Sequence, residues 1–196
     1  MHSNRFRAAA AALCLAAICS TPAHGQLLNT GFESGMMGPW FNSTDFCTPG
    51  IGCTNWSVSA GASRTGGFGA SNRGNILLRQ TLATATAASS ITELSFWARQ
   101  EKTSLMAWFL GYSDGSVSDG LINTSTNWQK FTFTSSLQLA KTVTSVGVYG
   151  VSPADNTSFV DDWTLTSNTV VPEPSSIALM LTGLVLIPVM ARRRRN

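Results

Sequence analysis

Histidine, the side chain most often used for acid–base catalysis near neutral pH, occurs in this chain only near its start. The two histidines are His2 and His24, and residues 26–170 contain none. That central part therefore cannot form a Ser-His-Asp or Cys-His catalytic group, or a zinc site with histidine ligands. Chemistry in this part of the chain would have to rely on carboxylates, aromatic rings, hydroxyls or a non-histidine metal site.

The carboxylates invite comparison with glycoside hydrolases, which hold two carboxyl groups roughly 5–9.5 Å apart across a cleft. Asp114 and Asp119 lie in segments rich in Gly and Ser, where aspartate is an ordinary turn residue. Asp161 and Asp162 are neighbours, so on a strand they point to opposite faces. The sequence therefore predicts a protein that is not an enzyme, with a weak hydrolase as an alternative.

Aromatic residues offer a different chemistry, because flat rings can stack on the faces of sugar rings. Among the tryptophans, Trp97 and Trp108 fall in strand-like runs, with Arg99 and Tyr112 close by. We predict that Trp97, Arg99, Trp108 and Tyr112 form an aromatic platform for a glycan. The alternative for each ring is a place in the hydrophobic core, which aromatic side chains also fill.

Two cysteines remain in the central part, in the Pro- and Gly-rich segment from Cys47 to Cys53. In an exported protein such a pair is expected to form a disulfide. Free thiols are the alternative, and a metal site is unfavourable without histidine or further cysteine.

Residues 26–170 must position these side chains, and their pattern indicates strands. Apolar and polar residues alternate around Phe96 and Phe131, no run has a sustained helical period, and turn residues such as Asp114-Gly115 and Asp119-Gly120 separate the runs. The strand-like runs are 27–33, 55–60, 76–82, 92–100, 105–112, 128–135, 142–150 and 158–166. We predict one all-β domain, a jelly-roll β-sandwich of about eight strands.

Charge is concentrated at the two ends of the chain. The whole sequence has 13 basic and 10 acidic residues, but Arg5, Arg7 and the four terminal arginines account for the excess. The central part contains more acids than bases, so a nucleic-acid partner is not expected.

The first 25 residues have the features of a secretory signal peptide. Two arginines precede the apolar stretch 8–18, and Ala23-His24-Gly25 provides small residues before Gln26. We predict a signal helix that is removed before Gln26, and therefore an exported protein.

The C-terminal segment 171–196 contains Pro172, Glu173 and Pro174, then the apolar stretch 177–190, then Arg192, Arg193, Arg194 and Arg195. Residues 174–191 would form a helix of roughly 27 Å, enough to cross a bilayer core with its arginines on the cytoplasmic side. This order resembles the PEP-CTERM sorting signal of Gram-negative bacteria that produce exopolysaccharide. The resemblance implies transient membrane insertion, recognition by an exosortase, and release to the cell surface or matrix. A permanent single-span anchor is the alternative.

Three parts of the central region together resemble the galactose-binding-like jelly roll of many carbohydrate-binding modules. They are 29–33 followed by Trp40 and 56–58, then 78–82 followed by 94–99, and finally 128–133 followed by 159–165. The resemblance implies a structural calcium ion held by Glu33 and Asp161, with Asp162 as the alternative ligand. A simpler reading of the aspartates is that they accept backbone N–H bonds.

These observations predict an exported, exosortase-sorted protein that binds extracellular polysaccharide without catalysis. A structural matrix protein with no defined ligand is the first alternative, and a weak glycan-active hydrolase or an accessory module of an enzyme is the second.

Overall fold

The computed structural model describes residues 27–47, 53–151 and 155–168, which belong to a compact unit spanning 24–168. The predicted signal helix in 1–25 lies outside the described residues. So do the predicted transmembrane helix and the sorting residues Pro172, Glu173, Pro174 and Arg192 to Arg195. Within the described ranges, no helix has the length and hydropathy that a bilayer crossing requires.

The described chain forms two five-stranded antiparallel sheets, which we call sheet A and sheet B. The strands are β1 Phe41–Ser43, β2 Ser57–Ser59, β3 Gly69–Asn72, β4 Leu77–Ala87, β5 Ile91–Gln100, β6 Ser104–Tyr112, β7 Val117–Thr124, β8 Gln129–Thr132, β9 Thr142–Gly150 and β10 Ser158–Ser167. Sheet A has the order β1-β4-β9-β6-β7, and sheet B has the order β2-β3-β10-β5-β8. Single 3₁₀ turns occur at Thr44–Phe46, Ala60–Ala62, Ala88–Ser90 and Thr134–Ser136. The predicted all-β sandwich is confirmed, with more strands than expected.

The hydrophobic core lies between the sheets, where alternate residues of each strand face inward. On β5 the inward residues are Leu94, Phe96 and Ala98, as the alternation predicts. The ring of Phe96 stacks on Trp163 from β10, with 4.6 Å between ring centroids. This contact stabilises the pairing of β5 with β10, the central strand of sheet B.

The first predicted strand, 27–33, is wrong. Asn29 and Phe32 both have positive φ angles, 50° and 56°, and the amide of Phe32 donates to the carbonyl of Asn29 at 3.1 Å. Two such angles within four residues are incompatible with a regular strand, and none of residues 27–33 pairs with a neighbouring strand, so the segment is a loop. Its apolar residues Leu27 and Phe32 are buried because they anchor the loop on the core.

Three strands were not predicted: β1, β3 and β7. The predicted turn at Asp119-Gly120 lies in the middle of β7, where Gly120 pairs with Trp108 of β6. A Cβ atom on Gly120 would lie 2.7 Å from the indole atoms of Trp108. Glycine is therefore needed here for close packing, not for a turn.

The predicted disulfide between Cys47 and Cys53 is confirmed, with 5.8 Å between the two Cα atoms. It joins the residue after the first 3₁₀ turn to the segment that leads into β2. The disulfide therefore connects the edge of sheet A to the edge of sheet B.

Candidate functional site

The predicted aromatic platform is not formed, because Trp108 and Tyr112 are core residues. They are only 8% and 3% exposed, and the ring of Trp108 stacks on Phe133 with 5.4 Å between centroids. The hydroxyl of Tyr112 accepts a hydrogen bond from the amide of Gln138 at 3.2 Å. Both faces of β6 are apolar, so the alternation could not identify which one faces the core.

Trp97 and Arg99 lie on the opposite side of the molecule, on the outer face of sheet B. β5 and β6 belong to different sheets, so these two residues cannot share a surface with the β6 aromatics. Both are half-buried, and the guanidinium of Arg64 lies 3.5 Å from the ring centroid of Trp97. Their role in ligand binding stays a prediction.

The outer face of sheet A holds a different group of side chains, centred on Phe109. In the strand register, Gly147 of β9 pairs with both Arg79 of β4 and Phe109 of β6. Because Gly147 has no side chain, the guanidinium of Arg79 reaches across β9 and lies 5.3 Å from the ring centroid of Phe109. Phe109 is only 2% exposed, so the Arg79 guanidinium covers its ring and is itself the group that this part of the sheet presents to solvent.

Tyr149 and Asp119 lie on the same outer face. The Tyr149 hydroxyl donates to Oδ2 of Asp119 at 3.2 Å. Burial, together with the charge of Asp119 and this hydrogen bond, raises the pKa of Tyr149 to about 12. The phenol therefore stays protonated at neutral pH and can offer its oxygen as an acceptor to a ligand.

Asp45, which follows the edge strand β1, holds the Arg79 side chain in place. The two side chains form an ion pair at 3.7 Å, and the Ser43 hydroxyl donates to Oδ2 of Asp45 at 2.6 Å. Asp45 lies two residues before Cys47, so the disulfide-closed segment begins beside this face. The contact with Asp45 fixes the guanidinium on the side that faces β1.

Exposed apolar side chains border this polar centre. Phe41 on β1 is 42% exposed, Leu121 on β7 is 61% exposed, and Val117 at the start of β7 is also exposed. A surface that combines apolar edges with a few fixed polar groups suits a ligand with flat apolar faces and many hydroxyls. We call the surface formed by Phe41, Arg79, Phe109, Asp119, Leu121 and Tyr149 the sheet A outer face.

The carboxylates predicted to hold calcium lie elsewhere, near the start of β10. Asp161 is fully buried; its Oδ2 accepts N–H bonds from Arg64 at 2.7 Å and Thr65 at 3.3 Å, and its Oδ1 accepts from Asp162 at 2.8 Å. Burial raises the pKa of Asp161 to about 6, against the opposing effect of these N–H donors. The buried carboxyl is therefore satisfied by backbone amides.

The other two carboxylates of this cluster also have protein partners. Asp162 pairs with the guanidinium of Arg64 at 2.7 Å, and Glu33 accepts an N–H bond from Gly67 at 2.8 Å. Within the described residues, no group of three potential ligand side chains could hold a metal ion. A guanidinium at this position does not fit a calcium site, so calcium binding by Glu33 and Asp161 stays an untested prediction that this arrangement does not favour.

No family model matches the sequence, and no curated protein matches it. Solved structures do resemble it. TmCBM61 in complex with beta-1,4-galactotriose has a TM-score of 0.52 and 19% identity, and the alignment covers 74% of this chain and 99% of that one. The CBM22-1–CBM22-2 tandem domain of Paenibacillus barcinonensis Xyn10C has a TM-score of 0.51 and 13% identity, covering 76% of this chain and 47% of that one. The described residues therefore have the jelly-roll fold of a carbohydrate-binding module.

Sequence reasoning missed the side chains of the sheet A outer face. Arg79 is a charged residue that directly follows the apolar run Ile76-Leu77-Leu78 within a predicted strand, and that break in the pattern was a usable signal. Tyr149 and Asp119 carried no such signal, because nothing in the sequence shows that β9 and β7 both flank β6.

Proposed function

We propose that this protein is an exported, non-catalytic glycan-binding protein that is sorted by an exosortase to the cell surface or extracellular matrix. Its binding site is the sheet A outer face, and its ligand is an extracellular polysaccharide. The sorting part of the proposal is supported by the order of Pro172-Glu173-Pro174, apolar segment and arginine cluster in the sequence.

The observation that carries the binding proposal is the arrangement of Arg79, Phe109, Tyr149 and Asp119 on one face. A sugar ring has apolar C–H faces and hydroxyls at its rim. Leu121 and Phe41 can contact the faces, while the guanidinium of Arg79 donates to hydroxyl oxygens and Asp119 accepts from them. The fold shared with carbohydrate-binding modules supports the same conclusion.

The carboxylates of this face support binding over hydrolysis. A glycosidase needs one carboxyl group as acid and a second as base or nucleophile. Here Asp119 accepts a hydrogen bond from Tyr149, and Asp45 is ion-paired with Arg79. Both carboxylates are therefore positioned to hold other side chains of the surface.

A glycan array with the full chain in mild detergent tests the binding proposal, with β-1,4-galactan as the first probe because a structural neighbour binds β-1,4-galactotriose. We expect a neutral glycan to bind, and Arg79→Ala to weaken it by roughly tenfold or more. Lys102→Ala is the control, because it removes an exposed positive charge in the loop between β5 and β6 and leaves this face unchanged. If no glycan binds, the structural matrix alternative replaces this proposal.

Mass spectrometry of the mature protein tests the sorting proposal. We expect chains that begin at Gln26 and end near Pro172. Chains that retain Arg192 to Arg195 in the envelope would instead support a permanent anchor.

A further inference from the structure

Arg99 differs from every other basic residue of the described chain. Of the Lys and Arg side chains in the described ranges, all but Arg99 have a carboxylate within 4.0 Å. The paired residues are Arg64, Arg73, Arg79, Lys102, Lys130 and Lys141. A half-buried guanidinium without an anionic partner is unusual, because a charge that is partly removed from water normally has one.

Two aromatic rings hold the Arg99 guanidinium in place. It lies 3.9 Å from the ring centroid of Phe159 on β10 and 5.3 Å from that of Trp128, which immediately precedes β8. Such contacts stabilise the charge and fix the plane of the guanidinium, but they do not use its N–H groups. The donors of Arg99 are therefore positioned for a ligand.

Arg99 belongs to a row of side chains that crosses the outer face of sheet B. Register pairs connect Ser57 to Ser71, Ser71 to Phe159, and Phe159 to Arg99. With Trp128 at the far end, the row spans the width of the sheet, about 19 Å at a strand spacing of about 4.8 Å. A row of this length can contact several consecutive sugar units of an oligosaccharide, whereas a site for a single ion would be much shorter.

The other end of this row opens into a cavity of about 240 Å³. Ser57, Ser71, Asn55 and Arg73 are among its lining residues. The volume is below the ~300 Å³ at which pockets for drug-sized ligands begin, so it suits one small polar unit such as a sugar ring. Ser, Thr and Asn residues are among those that line it, and their side chains can hydrogen-bond to a hydroxyl-rich ligand.

We propose that this row is a second binding site, specific for a polysaccharide that carries carboxylates, such as a polyuronate. One carboxylate pairs with the guanidinium of Arg99, a sugar face contacts Trp128, and a neighbouring sugar enters the cavity beside Ser71. A carboxylate is the ligand group that matches the planar, two-pronged donor of arginine. The site is on the opposite sheet from the sheet A outer face and does not depend on it.

The test measures binding of polygalacturonate to the full chain in mild detergent by isothermal titration calorimetry. We expect wild type to bind, and Arg99→Ala to lose roughly ten- to a hundredfold in affinity. Arg99→Lys keeps the charge but not the paired donors, so its affinity should fall between the two. Fully methyl-esterified polygalacturonate has the same backbone without the charge, and it should bind wild type no better than it binds Arg99→Ala.

Control variants separate this site from general charge effects and from the first site. Lys141→Ala removes one positive charge near Asp114, away from the row, and should leave polygalacturonate binding unchanged. Arg79→Ala should weaken only the neutral glycan. A sulfated galactan that binds as tightly as polygalacturonate would show that the site accepts any anion and would overturn its specificity for carboxylate. Equal binding by wild type and Arg99→Ala, with unchanged melting temperatures, or no binding by wild type, would overturn the site itself.

Discussion

Replacing the buried Asp161 carboxyl should change how the stability of the protein depends on pH. Asp161 has a pKa of about 6 in the folded protein, raised from its ordinary value of 3.8 mainly by burial. The folded state therefore holds this proton more tightly than the unfolded state does. The stability that Asp161 contributes is fully present below pH 3.8 and is lost as the pH rises through 6.

The size of the effect follows from the shift. One pKa unit corresponds to about 1.36 kcal/mol, so raising the pKa from 3.8 to about 6 corresponds to about 3 kcal/mol between the two pH limits. Other carboxyls act in the opposite direction at lower pH. The pKa of Asp114, for example, is lowered to about 2 by Ser116 and Lys141, so its contribution is lost only as the pH falls. Subtracting the unfolding free energy of an Asp161 variant from that of wild type at each pH cancels the contributions of these other carboxyls.

The assay is urea unfolding of wild type and Asp161→Asn from pH 3 to pH 8 without calcium. The carboxamide of the variant does not titrate, and its weaker bonds to the amides of Arg64 and Thr65 cost the same at every pH. We expect the stability of wild type, relative to the variant, to fall by about 3 kcal/mol as the pH rises over this range.

A constant difference between wild type and variant would refute this account of Asp161, and so would a difference that grows in favour of wild type. Repeating the series at pH 7 with millimolar calcium tests the metal prediction. A melting temperature of wild type that rises with calcium, while that of Asp161→Asn does not, would show that Asp161 is a calcium ligand despite its contacts with amides.

Three further changes should have separable effects. Trp108→Ala should destabilise the protein by about 3–5 kcal/mol in urea unfolding, because it leaves a cavity in the core beside Phe133. The half-buried Trp97 should cost much less when it is replaced by Ala. Equal losses of stability would contradict the assignment of Trp108 to the core. Replacing Cys47 and Cys53 together by Ser should cost about 2 kcal/mol, since the closed loop is short, and a melting temperature unchanged by reducing agent would argue against the bond. The pKa of Tyr149 is raised to about 12, so the stability that this phenol contributes is present below pH 10 and is lost as the pH rises through 12. In an absorbance titration, Tyr149→Phe should therefore remove the tyrosine transition that occurs at the highest pH. If that transition persists in the variant, the contact between Tyr149 and Asp119 is contradicted.

The sequence was sufficient to predict the sandwich because most long strands alternate clearly or are uniformly apolar. β5, β9 and β10 lie close to the predicted runs, and the disulfide follows from two nearby cysteines. The failures have local causes. The segment around Phe32 has apolar residues without strand geometry, since Asn29 and Phe32 take positive φ angles that no composition rule detects.

The candidate site was harder to predict because it depends on which strands are neighbours. Trp97 and Trp108 are close in sequence but lie in different sheets, so a platform that joined them was wrong. Arg79 and Phe109 are far apart in sequence but meet across Gly147. Sandwich topology decides such contacts, and hydrophobic periodicity gives no information about it.

The most direct test of the central claim is a crystal structure of the protein with the tightest glycan from the array. The account predicts that the sugar lies on the sheet A outer face, with Arg79 and Asp119 within hydrogen-bonding distance of its hydroxyls. A neutral glycan bound only at the loop ends or at sheet B, with the surface around Phe109 and Tyr149 left uncovered, would contradict it.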